Sequence, residues 1–304
     1  MKHHMMKLAS PFVIALTKKV LAKYYKGNMP LEVLNNNEKI LIFAPHIDDE
    51  TIGLGGTLIQ YKELNAEVHV VFVTNGAKSN GSEDRNKIRE KRILEIETIR
   101  NDLGISSISY LDYEDGEVRR QADPADFTNY IEKMKPSLIY TTPFIDAHLD
   151  HVHTAHTVAE ALKKSTHKPK YVLEYEINCP FPPNVINSLV DISKTYNKKV
   201  ELTKVFKSQV IAFDGFHLLA LLKANLACDR KVKAVEGFIS SAPETFIQKS
   251  AKLKAANLTK FDHVFKQVNR SVTLLWAIFK SYQEKKQYYK LIQSKENKKL
   301  QVNS

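Results

Sequence analysis

The chain is poor in the features that would place it quickly in several large classes. Two cysteines in 304 residues, Cys179 and Cys228, cannot build a disulfide framework, and neither belongs to a CxxC pair. A reducing cytoplasm is the compartment that such usage suggests. No apolar run approaches the ~18 residues that span a bilayer. The longest are SPFVIAL (10–16), FHLLALL (216–222) and TLLWAIF (273–279). Lys2 and Lys7 precede the first of these, as in a signal peptide, but Lys18 and Lys19 follow at once without a small-residue cleavage site. There is no GxSxG and no Walker-type loop. Glycines 53, 55 and 56 stand in GLGGTL, which lacks the GxGxxG spacing, and the acidic loop ahead of them would repel a pyrophosphate.

Acidic charge is also scarce, but only at the ends. The net charge is +11. Residues 1–37 hold six lysines against one acid, and residues 243–304 hold twelve lysines and Arg270 against four acids. Those segments carry +5 and +9, which leaves −3 for residues 38–242. Nucleic acid is the partner a basic protein first suggests. These lysines, however, are spread along helices with no RRM, zinc-finger or helix-turn-helix pattern, so no nucleic acid is expected. Residues 8–26 and 270–294 mix apolar and aromatic side chains with lysine. That composition suits peripheral contact with a membrane surface, and equally two helices packed on the domain. Oligomeric state leaves no sequence signal.

What the middle does contain is order. KILIFAP (39–45), EVHVVFVT (67–74), SISYLD (107–112) and SLIYTT (137–142) are short β-branched or aromatic runs. Helical stretches lie between them at 51–65, 85–103 and 123–135; the last opens on Asp123-Pro124, an N-cap followed by proline. Alternation of this kind implies βαβ crossovers and a mostly parallel sheet. The expected fold is a Rossmann-like α/β domain over 38–242, with helical extensions at 1–37 and 243–304. YVLEYE (171–176) and NVINSLVDI (184–192) are further strand candidates, and 195–240 reads as helical.

Directly after the first strand comes APHIDDETIGLGG (44–56), a histidine and three acids beside a buried apolar run. Clustered carboxylates are costly to bury, so they face a ligand, a metal or water. TTPFIDAHLDHVHTAH (141–156) follows the fourth strand in the same way. In a parallel sheet both segments fall on the edge where ligands bind. His46 and Asp49 are ligand types zinc accepts; His148, Asp150 or His151 can complete a three-ligand site with an open position. One of the adjacent aspartates, Asp48 or Asp49, can then serve as base. Either motif alone is commonplace in proteins that bind no metal. The two together at equivalent strand ends are not.

APHIDDETIGLGGTL and HLDH resemble the LmbE/PIG-L family of zinc-dependent N-acetylglucosaminyl deacetylases. RILEIETIRNDLGI (92–105), YLDYEDGEV (110–118), KVFKSQ (204–209) and VEGF (235–238) extend the likeness across about 38–242. The resemblance implies Zn2+ held by His46, Asp49 and His151, with Asp48 as general base. It implies that His148 stabilises the oxyanion or protonates the leaving amine, with Asp150 orienting a histidine, and that Arg92 and Asp115 hold sugar hydroxyls. The implied substrate is an N-acetylated sugar or glycoconjugate. Ile47 departs from the proline many members carry, which alters loop stiffness and removes no ligand. His153 and His156 are expected on the following helix, one turn apart, as surface or pocket-lining residues. The competing expectation is a membrane-docked scaffold of glycan assembly without activity.

Overall fold

The computed structural model describes residues 2–77, 84–209, 211–256 and 265–293, with side chains from Pro11 onward. Seven strands form one sheet: β1 (Lys39–Ala44), β2 (Glu67–Thr74), β3 (Ile105–Tyr113), β4 (Leu138–Thr141), β5 (Tyr171–Tyr175), β6 (Ser188–Asp191) and β7 (Val235–Ser241). Their order across the sheet is β3-β2-β1-β4-β5-β7-β6. β1 through β5 are parallel, and β7 runs antiparallel to both β5 and β6. The mostly parallel Rossmann-like sheet read from the sequence is therefore the one observed.

Strand β1 shows why the layers form. Leu41 and Phe43 face one core with α5 (Pro124–Met134) and α6 (Leu149–Lys164), while Ile40, Ile42 and Ala44 face the other with α2 (Asp49–Glu63) and α3 (Arg85–Ile99). All five are fully buried, as a central parallel strand covered on both faces requires. α2 lies unusually close to the sheet. A Cβ on Gly53 would stand 2.3 Å from the Tyr175 ring, and one on Gly56 2.8 Å from Ile192. These glycines serve packing and not a phosphate. α2 also kinks at Leu54, and the Gly56 and Thr57 amides donate to Glu236, itself paired with Lys199.

Residues 195–240 depart from the helical expectation. α7 (Tyr196–Thr203) and α8 (Asp214–Lys223) are helices, but VEGFISS (235–241) is strand β7. It is inserted between β5 and β6, and six of its seven residues are buried. A strand covered on both faces loses the alternation of apolar and polar residues that marks a half-exposed one. Beyond it, α9 (Pro243–Ala255), α10 (Leu274–Phe279) and α11 (Tyr282–Ile292) send Phe246, Leu253, Leu274, Ile278, Tyr289 and Ile292 into the core beside α6. α1 (Lys2–Tyr24) adds Leu21, and Tyr25 follows directly after its last turn. Among the described residues no helix is long and apolar enough to cross a membrane.

The chain order fixes where a site can form. From β1 the crossovers run outward to β2 and β3; from β4 they run the opposite way to β5. The carboxyl ends of β1 and β4 thus flank a topological switch point, the crevice where open α/β sheets bind ligands.

Candidate metal centre

His46 lies two residues past β1, and Asp49 opens α2; His148 caps α6, and His151 sits in its first turn. The switch point brings them together. His46 Nδ1 is 3.2 Å from Asp49 Oδ2 and 3.2 Å from His151 Nε2, and those two atoms are themselves 3.2 Å apart. Three donor atoms on an equilateral triangle fit one face of a tetrahedron. A zinc ion bonded at its usual distances spaces such corners by ~3.3–3.6 Å. Without a cation, two imidazole nitrogens and a carboxylate at this spacing must share protons. The residues present fit the metal.

Each of the three donors is held from behind. His151 Nδ1 is 3.2 Å from Asp146 Oδ1, which turns Nε2 toward the triangle. Asp146 is buried and also accepts from the His148 and Asn178 backbone amides and the Asn178 side chain. His46 Nε2 lies 3.4 Å from Asp115 and 3.5 Å from Asp150. Asp150 accepts from the Gly116 and Val118 amides, fastening the loop that carries Asp115. Asp49 accepts from the His46 amide at 2.8 Å, which fixes the turn between β1 and α2.

Asp48 stands apart in conformation. Its φ of 151° is one that non-glycine residues rarely adopt. The Ile52 amide donates to its carbonyl, and its own amide donates to Glu50. Strain of this kind persists where the surroundings impose it, and it clusters at functional sites. Glu50, the last acid of HIDDE, therefore supports the turn.

The electrostatics of the metal-free site follow from burial and crowding. Burial, reinforced by the neighbouring Asp49 carboxylate, drives the Asp48 pKa well above the carboxylate range. Burial raises Glu50 to about 7. Burial would lower His151, but Asp49 and Asp146 outweigh it and bring it up to about 10. His46 is likewise raised, against burial, by Asp115, Asp150 and Asp49. His148 goes the other way, to about 4, because burial and the two neighbouring imidazoles disfavour its cation. Its Nδ1 accepts from the Asp150 amide, so its proton sits on Nε2.

Around these groups lies a cavity of about 570 Å³, lined among others by Arg92, Asp115, Asn178, Gln209, Ile211 and Phe216. All eight residues singled out from the sequence meet here: seven line the cavity, and Asp150 sits behind His46. Arg92 is buried and donates to Gln209, whose amide reaches the Ile47 carbonyl. Asp115 is beside His46 and the three-donor triangle. His156 points away, to Ser250 on α9.

Sequence reasoning missed Asp146, Asn178 and Gln209. Asp146 offered one signal, an acid set between apolar Ile145 and Ala147 five residues before His151. Asn178 offered none, since it arrives from the β5–β6 connection. Gln209 ends KVFKSQ, a segment of the family likeness that carries no implied role.

Fold and site together define a Rossmann-like α/β protein with a His/Asp centre at its switch point. A family described as PIG-L: GlcNAc-PI de-N-acetylase matches residues 41–162. Residues 41–162 therefore resemble a PIG-L family domain. It is 29% identical over 199 residues, 58% of this chain and 83% of the relative, to a probable N-acetyl-alpha-D-glucosaminyl L-malate deacetylase 2 of Bacillus anthracis. The N,N'-diacetylchitobiose deacetylase of Pyrococcus horikoshii superposes with a TM-score of 0.60 at 22% identity, covering 69% of this chain and 85% of that one. A 4-carboxy-2-hydroxymuconate hydratase of Pseudomonas putida superposes with a TM-score of 0.55 at 19% identity, covering 67% and 95%. The two superpositions establish the fold, and the second shows that the fold by itself does not fix the reaction.

Proposed function

We propose that the protein is a zinc-dependent N-deacetylase acting on an N-acetylglucosamine-type sugar or glycoconjugate. The observation that carries this reading is the 3.2 Å triangle of His46, Asp49 and His151 at the switch point. A zinc ion held there lowers the pKa of water and polarises an amide carbonyl.

The remaining steps belong to the chain. Asp48, whose carboxylate burial and Asp49 make more basic than an ordinary one, accepts in its ionised form the proton of the attacking water and returns it to the departing nitrogen. His148 donates from Nε2 to the oxygen that gains charge as the carbonyl becomes tetrahedral. Asp146 and Asp150 are positioning residues for His151 and His46. Arg92, Asp115 and Gln209 line the same cavity and would hold hydroxyls of the sugar. Water adds to the acyl carbon, the C–N bond breaks, and acetate and an amine leave.

The inactive-scaffold alternative has no observation in its favour: every residue such a scaffold could discard is in place. The test is acetate release from a panel of N-acetylated sugars and carriers, with the protein stripped of metal and then reloaded. Release that requires reloading supports the proposal. Water addition to an unsaturated acid with no acetate from any sugar would replace it with hydratase chemistry.

A further inference from the structure

Helix α1 is anchored at one end and bare at the other. Thr17, Leu21 and the following Tyr25 are completely buried. Phe12 and Leu16, in contrast, are 85% and 55% exposed, on the i, i+4 stripe that exposed Lys19 and Lys23 continue. α1 packs against α10, where the Tyr24 and Phe279 rings meet at 5.2 Å. α10 in turn presents Trp276, 55% exposed, with Lys280 Nζ 5.3 Å from its ring centre. Lys18, Lys26, Lys286 and Lys290 are exposed on the same group of elements, against Glu284. Of eight exposed large apolar residues described, four (Phe12, Leu16, Trp276 and Leu291) lie on α1, α10 and α11.

We propose that the exposed apolar and lysine side chains of α1, α10 and α11 dock the protein on an anionic lipid surface. An interfacial helix buries Phe, Leu and Trp side chains at the headgroup boundary while flanking lysines meet anionic lipid. Tryptophan with an adjacent cation suits that boundary, being apolar in body and polar at one edge. A second copy of the chain fits less well, because pairing would set two lysine-rich faces against each other. Nucleic acid would use the lysines and leave Phe12 and Leu16 uncovered.

The chain has a single tryptophan, so Trp276 reports directly on its own surroundings. The experiment is flotation of the full chain with vesicles of phosphatidylcholine alone or with phosphatidylglycerol, read with Trp emission and quenching by brominated acyl chains. Flotation with anionic vesicles only, reduced at high salt and accompanied by a blue shift and bromine quenching, is the expected result. The double variant Phe12→Ser, Leu16→Ser should lower vesicle affinity at least tenfold while leaving the thermal midpoint unchanged. No flotation, or flotation without a change in Trp276 emission, overturns the proposal. So does vesicle indifference combined with DNA binding or dimerisation that the double variant removes.

Discussion

Asp48 and Asp49 are neighbours in sequence with opposite electrostatic fates. Asp49 is held ionised, against burial, by His151 and His46, while Asp48 is driven toward protonation by burial and by Asp49 itself. On the proposed reading, titratable groups pushed apart in this way divide into ligand and base. Asp48→Asn should retain metal and lose ~10²–10⁴ in turnover, the scale of general base catalysis, as acetate-release kinetics will read. Asp146 acts one step further out. Asp146→Asn removes the carboxylate that fixes the His151 ring, so metal affinity should fall ~10–100-fold by competition with a chelating dye. Added metal should restore much of its activity, which it would not do for a residue of the reaction itself. HIDDE and HLDH were legible because the fold has no use for charge at the end of a buried strand. Asp146 was not, because its role rests on contacts with His151 and Asn178 that only the tertiary structure makes.

Among the elements, α6 carries the site at its amino end and grips the carboxyl-terminal helices further along. His156 Nδ1 meets Ser250 Oγ at 2.8 Å on α9, and its ring lies 5.0 Å from that of Phe144. Burial, with Lys254 and His153 nearby, lowers its pKa to about 3. An unfolded chain protonates this ring near pH 6.5, whereas the folded one resists until about 3. The unfolded state then binds more protons, so this contribution to stability is complete above pH 6.5 and is lost as pH falls toward 3. Urea denaturation at several pH values should give a shallower loss for His156→Gln than for wild type between pH 6.5 and 4.5. Identical slopes would mean the ring is solvated. β1, β2 and β4 were readable as elements because compact β-branched runs sat between clear helix signals. β7 was not, since VEGFISS follows helical sequence and its partner β5 is separated from it in the chain by β6.

For the whole molecule, the ends are bound into the core by more than apolar contact. Lys223 of α8 is buried, pairs with Glu176 past β5, and lies 5.3 Å and 5.9 Å from the Tyr25 and Phe181 ring centres. Removing only the carboxylate leaves an uncompensated buried ammonium. Glu176→Ala should cost about 3–5 kcal/mol, while Lys223→Met, which fills the space without charge, should cost clearly less. Denaturant midpoints of the two variants decide this, and the reverse order would mean that Lys223 is solvated.

The central claim is a cation held by His46, Asp49 and His151. Its most direct test is zinc bound per chain, measured by elemental analysis after one chelator wash applied equally to wild type, Asp48→Asn and His151→Ala. About one ion should remain in the first two proteins and close to none in the third, since two ligands are too few for tight binding. Equal zinc in wild type and His151→Ala, or zinc lost from Asp48→Asn alone, would contradict the assignment.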